Sequence, residues 1–188
     1  ARRGMVLVTG ATVGIPYWAA KGAKEEGGIV IGFSPAASEM AHTVLSLFND
    51  VDVVIMAAAV ADFRPSTPAS EKIKKIGGSP LLELEPTVDV LAELGERKVG
   101  QYLVGFAAET SHLVEHARGK LESKNVDLFV ANDVTAPGSG FEVDTNQATL
   151  VGNEGSVEEL PMMSKDELAD VILDRVRDAS RVTNAHDV

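Results

Sequence analysis

Three lysines lie close together in the stretch EKIKK, at Lys72, Lys74 and Lys75. They stand in Phe63–Pro80, which contains three prolines and a Gly-Gly pair and is predicted to be a long irregular loop, typical of a functional lid. An ammonium group on such a loop could close on the phosphates of a nucleotide as a movable positive charge. A lysine cluster is usually just a solvated surface, so the segment suggests phosphate chemistry without establishing it.

The residues before this loop change from bulky to small. The apolar run Val51–Ala59 ends in Met56, Ala57 and Ala58, and Asp62 follows shortly afterwards. Small side chains at the end of a strand would let a flat ligand approach the backbone, and Asp62 could accept a hydrogen bond from a ribose hydroxyl or a base amine. Alternatively, the alanines permit close helix packing and Asp62 caps the following turn. The spacing alone favours neither interpretation.

Apolar runs alternate with segments of helical period along much of the chain. The runs predicted to be buried strands are Met5–Gly10, Gly28–Phe33, Val51–Ala59, Gln101–Ala108 and Val126–Asp133. The predicted helices are Trp18–Glu26, Ser38–Phe48, Val88–Lys98 and Ser111–Lys124. This alternation indicates βαβ units, and right-handed crossovers then give an α/β fold of the Rossmann-like, three-layer type with a mainly parallel sheet.

In an open α/β sheet, ligands bind outside the carboxyl ends of the strands. The ends of three predicted strands place Met56–Asp62, Phe106–Thr110 and Asn132–Asp133 at one rim. Lys120 and Lys124 are four residues apart on the helix after the fourth strand and therefore share a face of it. As surface residues these two lysines need no functional explanation.

The pattern changes after the fifth strand. Two short strands around a Gly-containing turn predict a small C-terminal β-hairpin: Ala148–Val151 and Ser156–Leu160. Thr135–Asn146 reads as a loop, and Ser164–Val176 as a helix that opens with a capping box. The polar residues from Asp178 onward are expected to fray. We predict one domain over residues 1–180 with a flexible tail over residues 181–188.

Composition excludes several classes of function. The chain has 188 residues and a net charge of −11, which argues against a nucleic-acid binder but not against a small anionic substrate. It contains no cysteine and therefore no thiolate metal site or cysteine nucleophile. No apolar run approaches the roughly 20 residues that span a bilayer. We expect a cytoplasmic protein that binds neither nucleic acid nor membrane.

The start of the chain offers an alternative. TGATVGIP is similar to the Gly-rich turn of short-chain NAD(P)-dependent dehydrogenases, but Pro16 stands where the last glycine belongs. Tyr17 and Lys21 reproduce a Tyr-x-x-x-Lys pair in letters only, since they lie in the first predicted helix. His112 and His116 share a helix face without an accompanying carboxylate at metal-site spacing, so we predict no zinc site there.

Longer motifs carry a more specific resemblance. The region from about Asp52 to Val176 resembles phosphopantothenate–cysteine ligase, the synthetase domain often fused to a flavin-dependent decarboxylase in bacterial coenzyme A synthesis. The matching stretches occur in the same order and spacing: MAAAVADFRP, EKIKK, VGFAAET, ARGKLESKNVDLFVANDV and GFEVDTNQATL. The resemblance implies a homodimer with a Rossmann-like fold that uses a nucleoside triphosphate, usually CTP, with Mg²⁺. The implied reaction joins 4′-phosphopantothenate to cysteine through an acyl-cytidylate, with release of pyrophosphate.

The resemblance also implies site residues. Carried over by motif, the nucleotide-binding set is Met56, Ala57, Ala58, Asp62, Lys72, Phe106, Lys120 and Lys124. Lys72 is the implied catalytic residue, a flap lysine on the triphosphate. Phe106 would line the base pocket, and Lys120 and Lys124 would hold the nucleotide from the neighbouring helix.

The chain departs from the family pattern in two places. GATVGIPYWAAKGAKEEG replaces a Gly-Gly-Thr turn and an Asn-containing Ser-Ser-Gly-Lys stretch, which help to bind the acyl substrate in the family. PTVDVLAEL keeps only Asp89 of the usual Asn-Pro-Asp. A catalytically impaired nucleotide-binding paralogue is therefore the first alternative to a ligase.

Overall fold

A five-stranded mixed sheet forms the centre of the protein. The structure is a computed structural model that describes residues 6–10, 29–33, 37–58, 60–68, 81–109, 112–139 and 143–184. The longer strands are β1 (Val6–Gly10), β2 (Ile29–Phe33), β3 (Val53–Met56), β6 (Tyr102–Glu109), β7 (Leu128–Asp133) and β9 (Ala148–Gly152). The short strands are β4 (Phe63–Pro65), β5 (Leu84–Pro86), β8 (Thr145–Asn146), β10 (Val157–Glu159) and β11 (Met163–Ser164). The helices are α1 (Ala37–Leu47), α2 (Val90–Arg97), α3 (Leu113–Ser123) and α4 (Lys165–Asn184), with a 3₁₀ turn at Phe48–Asp50.

The strand order of the main sheet is β10-β9-β7-β6-β3. Strands β3, β6 and β7 run parallel, whereas β9 pairs antiparallel with β7 and β10 antiparallel with β9. Strands β1 and β2 form a further parallel pair. These pairings confirm the predicted Rossmann-like α/β class, and β9–β10 is the predicted C-terminal hairpin.

Two hydrophobic cores lie on opposite faces of the sheet. Successive strand residues point to opposite faces, so Leu103 and Phe129 enter one core while Val104 and Val130 enter the other. Helices α1, α2 and α3 cover the first core, and α4 covers the second through Leu168, Ile172 and Val176. The helix–sheet–helix layering is the predicted three-layer sandwich.

The capping box at the start of α4 is confirmed. The Ser164 backbone N–H and hydroxyl both donate to Glu167 Oε2 at 2.8 Å, and the Glu167 N–H donates back to Ser164 Oγ at 3.2 Å. The helix then continues to Asn184, so residues 178–184, expected to fray, are helical. Helix extension needs only local hydrogen bonds once a first turn exists, and a polar sequence does not prevent it.

Other predicted elements differ in their limits. β3 ends at Met56 rather than Ala59, and β4 occupies the start of the segment predicted to be irregular. The helix predicted at Trp18–Glu26 and most of the Gly-rich turn lie outside the described residues. Among the helices described, none is long and apolar enough to cross a membrane.

Candidate functional site

Three strand ends meet at one edge of the sheet, as predicted. Met56 of β3 is in register with Gly105 of β6, and Ala108 of β6 with Asn132 of β7. Because these strands are parallel and adjacent, their carboxyl ends form a single rim. Ala57, immediately beyond β3, is exposed there, so the backbone at this point is open to a ligand.

Met56 and Phe106 are both half-buried, but they lie on opposite faces of the sheet. Met56 packs against the core beneath α1, α2 and α3, whereas Phe106 packs against the core beneath α4. Lys120 lies on α3 and Lys124 directly follows this helix, so both belong to the Met56 side of the sheet. The predicted lysines and the predicted aromatic residue thus lie on different faces of the sheet, and the backbone of Lys124 stands next to Asn125 at the end of the sheet where β6 and β7 begin.

A two-stranded antiparallel ribbon stands next to the rim. β4 and β5 pair with Arg64 opposite Glu85, and these side chains form an ion pair with Nε 2.7 Å from Oε1. The pairing continues where the Ser66 N–H donates to the Glu83 carbonyl at 3.0 Å. The prediction of an irregular loop over Phe63–Pro80 is therefore wrong at its start, where β4 forms. The chain runs away from the rim through β4 and back to it through β5. Lys72 lies outside the described residues, in the segment that the ribbon connects.

The ribbon is tied to the rim at its base. The backbone N–H of Thr87 donates to the carbonyl of Asp62 at 2.9 Å, and the Thr87 hydroxyl donates to the carbonyl of Ala61. Asp62 itself is exposed. The segment that leaves β3 and the segment that returns from the ribbon are thereby held side by side.

Asp89, two residues beyond Thr87, binds two partners. Its Oδ1 accepts a hydrogen bond from the Ala92 N–H at 3.1 Å and caps α2, while its Oδ2 lies 2.8 Å from the Lys124 ammonium. Burial acts to raise the pKa of the Asp89 carboxyl, but the Lys124 hydrogen bond and charge and the Ala92 N–H together lower it below 3.8. Asp89 and Lys124 were each noted in the sequence, but their pairing was not predicted. The pair joins the start of α2 to the end of α3.

Lys124 is held in place by the close approach of the segment after α3 to α2. It is the residue after α3, and the side-chain amide of Asn125 donates to the Gly95 carbonyl at 2.8 Å. A Cβ atom at Gly95 would lie 1.9 Å from the Lys124 carbonyl oxygen, so only glycine permits this approach. The backbone that carries the Lys124 side chain is therefore fixed relative to Asp89.

The end of β7 carries a hydrogen-bonded loop. Asp133 Oδ1 accepts from the Thr135 hydroxyl at 2.7 Å and from its N–H at 2.8 Å, and these bonds lower the pKa of Asp133. The buried Asn146 side chain donates to Asn132 Oδ1 at 3.0 Å. The segment predicted to be a loop over residues 135–146 ends in β8 and is fastened to the rim by Asn146.

The described part of the chain holds no group of three or more His, Asp or Glu side chains that could bind a metal ion. His112 and His116 have their ring centroids 6.0 Å apart, and His112 Nδ1 lies 3.7 Å from a Glu115 carboxylate oxygen.

Comparison with known proteins gives one consistent family. Residues 9–179 match the family described as the DNA/pantothenate metabolism flavoprotein C-terminal domain. The matched range includes the TGATVG turn, so this family accounts for the turn that suggested a dehydrogenase.

Curated relatives support the same family. The chain is 49% identical over 148 residues to the coenzyme A biosynthesis bifunctional protein CoaBC of Bacillus subtilis, covering 79% of this chain and 36% of that protein. It is 36% identical over 189 residues to CoaBC of Mycobacterium tuberculosis, covering 94% and 43% respectively. The chain thus spans well under half the length of these relatives.

A solved structure is similar over nearly the whole chain. The crystal structure of the C-terminal domain of CoaBC superimposes with a TM-score of 0.69 at 38% sequence identity, covering 94% of this chain and 76% of that one.

Proposed function

The chain belongs to the DNA/pantothenate metabolism flavoprotein C-terminal domain family, and on that premise we propose that it joins 4′-phosphopantothenate to cysteine at the expense of CTP. The observation that carries the proposal is the rim of three parallel strand ends, with a ribbon beside it that leads into the lysine-bearing segment. The identity to CoaBC, a protein named for coenzyme A biosynthesis, supports a reaction in that pathway.

The proposed reaction has two steps. A carboxylate oxygen of 4′-phosphopantothenate attacks the α-phosphorus of CTP, and pyrophosphate leaves to give an acyl-cytidylate. The amine of cysteine then attacks the acyl carbon, the amide bond forms, and CMP leaves with the electron pair of the broken anhydride bond. The first step brings two anionic groups together, so positive charge must screen them before attack.

The residues of the rim have defined tasks in this proposal. The backbone at the exposed Ala57 and the half-buried Ala58 accepts the base or ribose, and Phe106 lines the base pocket from the other face of the sheet. Lys120 and Lys124 hold the nucleotide from α3. The Met56 backbone completes this contact at the end of β3.

Lys72 is the proposed catalytic residue. Its ammonium closes on the triphosphate and neutralises the charge that develops on the departing pyrophosphate. Closure of the same segment keeps water from the activated acyl group. Mg²⁺ supplies further charge neutralisation when it is bound with the triphosphate, and the exposed Asp62 carboxylate would hold it or the ribose.

The test is pyrophosphate release from CTP by the purified chain. We expect release to require 4′-phosphopantothenate, and amide product to require cysteine as well. Lys72→Gln should lower turnover by about 10²–10³-fold, the range for loss of one charge-stabilising donor. Arg97→Gln removes an exposed positive charge that pairs within α2 with Glu93, and it should retain activity. Pyrophosphate release that needs neither acid nor amine would refute the ligase.

A second candidate is a catalytically impaired nucleotide-binding paralogue. It is favoured by the replacement of the acyl-binding stretch between Gly10 and Gly28 by GATVGIPYWAAKGAKEEG. Calorimetry with CTP separates the two: this candidate binds CTP but releases no pyrophosphate when both acid and cysteine are present. Binding of ATP in place of CTP would change the proposed nucleotide without changing the reaction class.

We propose a homodimer as well. The ribbon and its return segment expose large apolar side chains, with 60% of Phe63, 93% of Leu81, 57% of Leu82 and 59% of Leu84 accessible. A second copy covering this face would bury them. Sedimentation should give a dimer for the wild type and a monomer for Leu82→Asp combined with Leu84→Asp; an unchanged dimer would place the interface elsewhere. We also propose that the enzyme is cytoplasmic, as expected for a step of coenzyme A synthesis.

A further inference from the structure

We infer that Asp89 is a positioning residue that holds the Lys124 ammonium ready for the nucleotide. The inference rests on the proposed function, because it assigns a role within the same site. It is based on the geometry around Asp89, whose carboxylate has its two oxygens on different partners. The residue occupies the place where the return segment of the ribbon enters α2.

The two carboxylate oxygens have separable roles. Oδ1 accepts from the Ala92 N–H and caps α2, a role that asparagine fulfils equally well. Oδ2 pairs with Lys124 at 2.8 Å, a role that needs the negative charge. One substitution, Asp89→Asn, therefore removes the ion pair and preserves the cap.

The Lys124 ammonium keeps the capacity to bind an anion while it is paired. An ammonium has three hydrogens, and one hydrogen bond to Asp89 leaves two for another acceptor. The side chain is 27% exposed and that of Asp89 is 52% exposed, so the pair is open to a ligand. A free lysine side chain loses rotamer freedom when it binds, and the carboxylate removes that loss by fixing the ammonium beforehand.

The pair also connects the lysine to the rest of the site. Thr87 bonds to the backbone of Ala61 and Asp62 at the rim, and Asp89 follows it by two residues. A chain of contacts thus runs from the segment after β3, through the base of the ribbon, to Lys124. Asp89 places Lys124, the residue after α3, relative to the base of the ribbon.

The experiment is a double-mutant cycle on CTP binding with Asp89→Asn, Lys124→Gln and both together. We expect Asp89→Asn to raise the CTP KM about tenfold with little change in kcat, since positioning acts on binding. Thermal stability should stay near that of the wild type because the cap is retained. Lys124→Gln should raise the KM at least as much, and the double variant should be no worse than Lys124→Gln.

Asp174→Asn is the charge-matched control, because it removes an exposed ion pair with Arg177 on α4 and should leave the CTP KM unchanged. Equal CTP affinity in Asp89→Asn and the wild type, or additive effects of the two substitutions, overturns the inference and leaves the proposed function standing. A wild-type protein that binds neither CTP nor ATP overturns the proposed function, and the inference with it.

Discussion

Replacing Gly95 by alanine should destabilise the protein, although the same change usually stabilises a helix. Gly95 lies in α2, and alanine in a helix interior is favoured over glycine by about 1 kcal/mol. At this position, however, the new Cβ would lie 1.9 Å from the Lys124 carbonyl oxygen and 2.8 Å from its carbonyl carbon. The obstacle is backbone, so no side-chain rotation relieves it and α2 must move relative to the end of α3.

The net effect can be worked out from three terms. Overpacking that the backbone has to absorb costs about 3 kcal/mol, the upper part of the usual range. Weakening the Asn125–Gly95 hydrogen bond costs about 1 kcal/mol more. Subtracting the gain of about 1 kcal/mol in helix propensity leaves a destabilisation of about 3 kcal/mol. For a chain of this size, that corresponds to a fall in Tm of roughly 6–12 °C.

Gly119 provides the matched control. It also lies in a helix, α3, but a Cβ atom built there meets nothing within 4 Å. Gly119→Ala should therefore show the propensity term alone, a gain of about 1 kcal/mol and a rise in Tm of roughly 2–4 °C. Both variants are measured by thermal unfolding followed by circular dichroism at 222 nm, with urea midpoints as a second measure.

Two chemically identical substitutions should therefore change the Tm in opposite directions. If Gly95→Ala raised the Tm as Gly119→Ala does, the packing of α3 on α2 would be looser than the structure has it. The contact at Gly95 would then no longer explain why the Lys124 backbone is fixed relative to Asp89. A Gly95→Ala variant that unfolds earlier but binds CTP normally would show instead that Lys124 does not depend on this packing.

Two further predictions concern the opposite edge of the sheet. Burial, and secondarily the charge of Asp127, raises the pKa of Tyr102 from 10.0 to about 12, so its contribution to stability is complete below pH 10 and is lost as the pH rises towards 12. The urea midpoint of Tyr102→Phe should therefore fall less steeply between pH 10 and 12 than that of the wild type. An equally steep fall in both proteins would contradict the burial of the Tyr102 hydroxyl. Asp127 pairs with the largely buried Lys98 at 2.9 Å and accepts from the Leu103 N–H at 2.8 Å. Asp127→Ala should cost about 3–5 kcal/mol in urea unfolding because it leaves that lysine without a counter-charge, while Asp127→Asn should cost less.

Local sequence patterns predicted the elements that depend on neighbours along the chain. The strands β6 and β7 and the helix α3 were recognisable because Val, Leu and Phe side chains repeat with the period of each structure. The capping box at Ser164 was readable for the same reason, since both of its members lie within one turn. The convergence of three strand ends followed from the parallel arrangement that these periods imply.

The β4–β5 ribbon and the Asp89–Lys124 pair could not be read in this way. Each ribbon strand has three residues and contains a proline, Pro65 or Pro86, so neither shows an alternating pattern. Asp89 caps the start of α2 and Lys124 follows α3, and the two meet because Gly95 lets the segment after α3 approach α2 closely. The side of the sheet on which Phe106 lies was likewise set by register rather than by composition.

The class of fold, the rim and the residue types available there could thus be predicted from the chain before folding, because periodicity and motif are properties that each segment carries alone. The tertiary structure decided which charges meet and how the lysine-bearing segment is anchored. Those contacts join residues distant in the chain, and their energies depend on a distance of a few ångströms that only the packed helices and strands define. For this protein, the ion pair between Asp89 and Lys124 is the clearest case, since either residue read alone is an ordinary charged residue at the end of a helix.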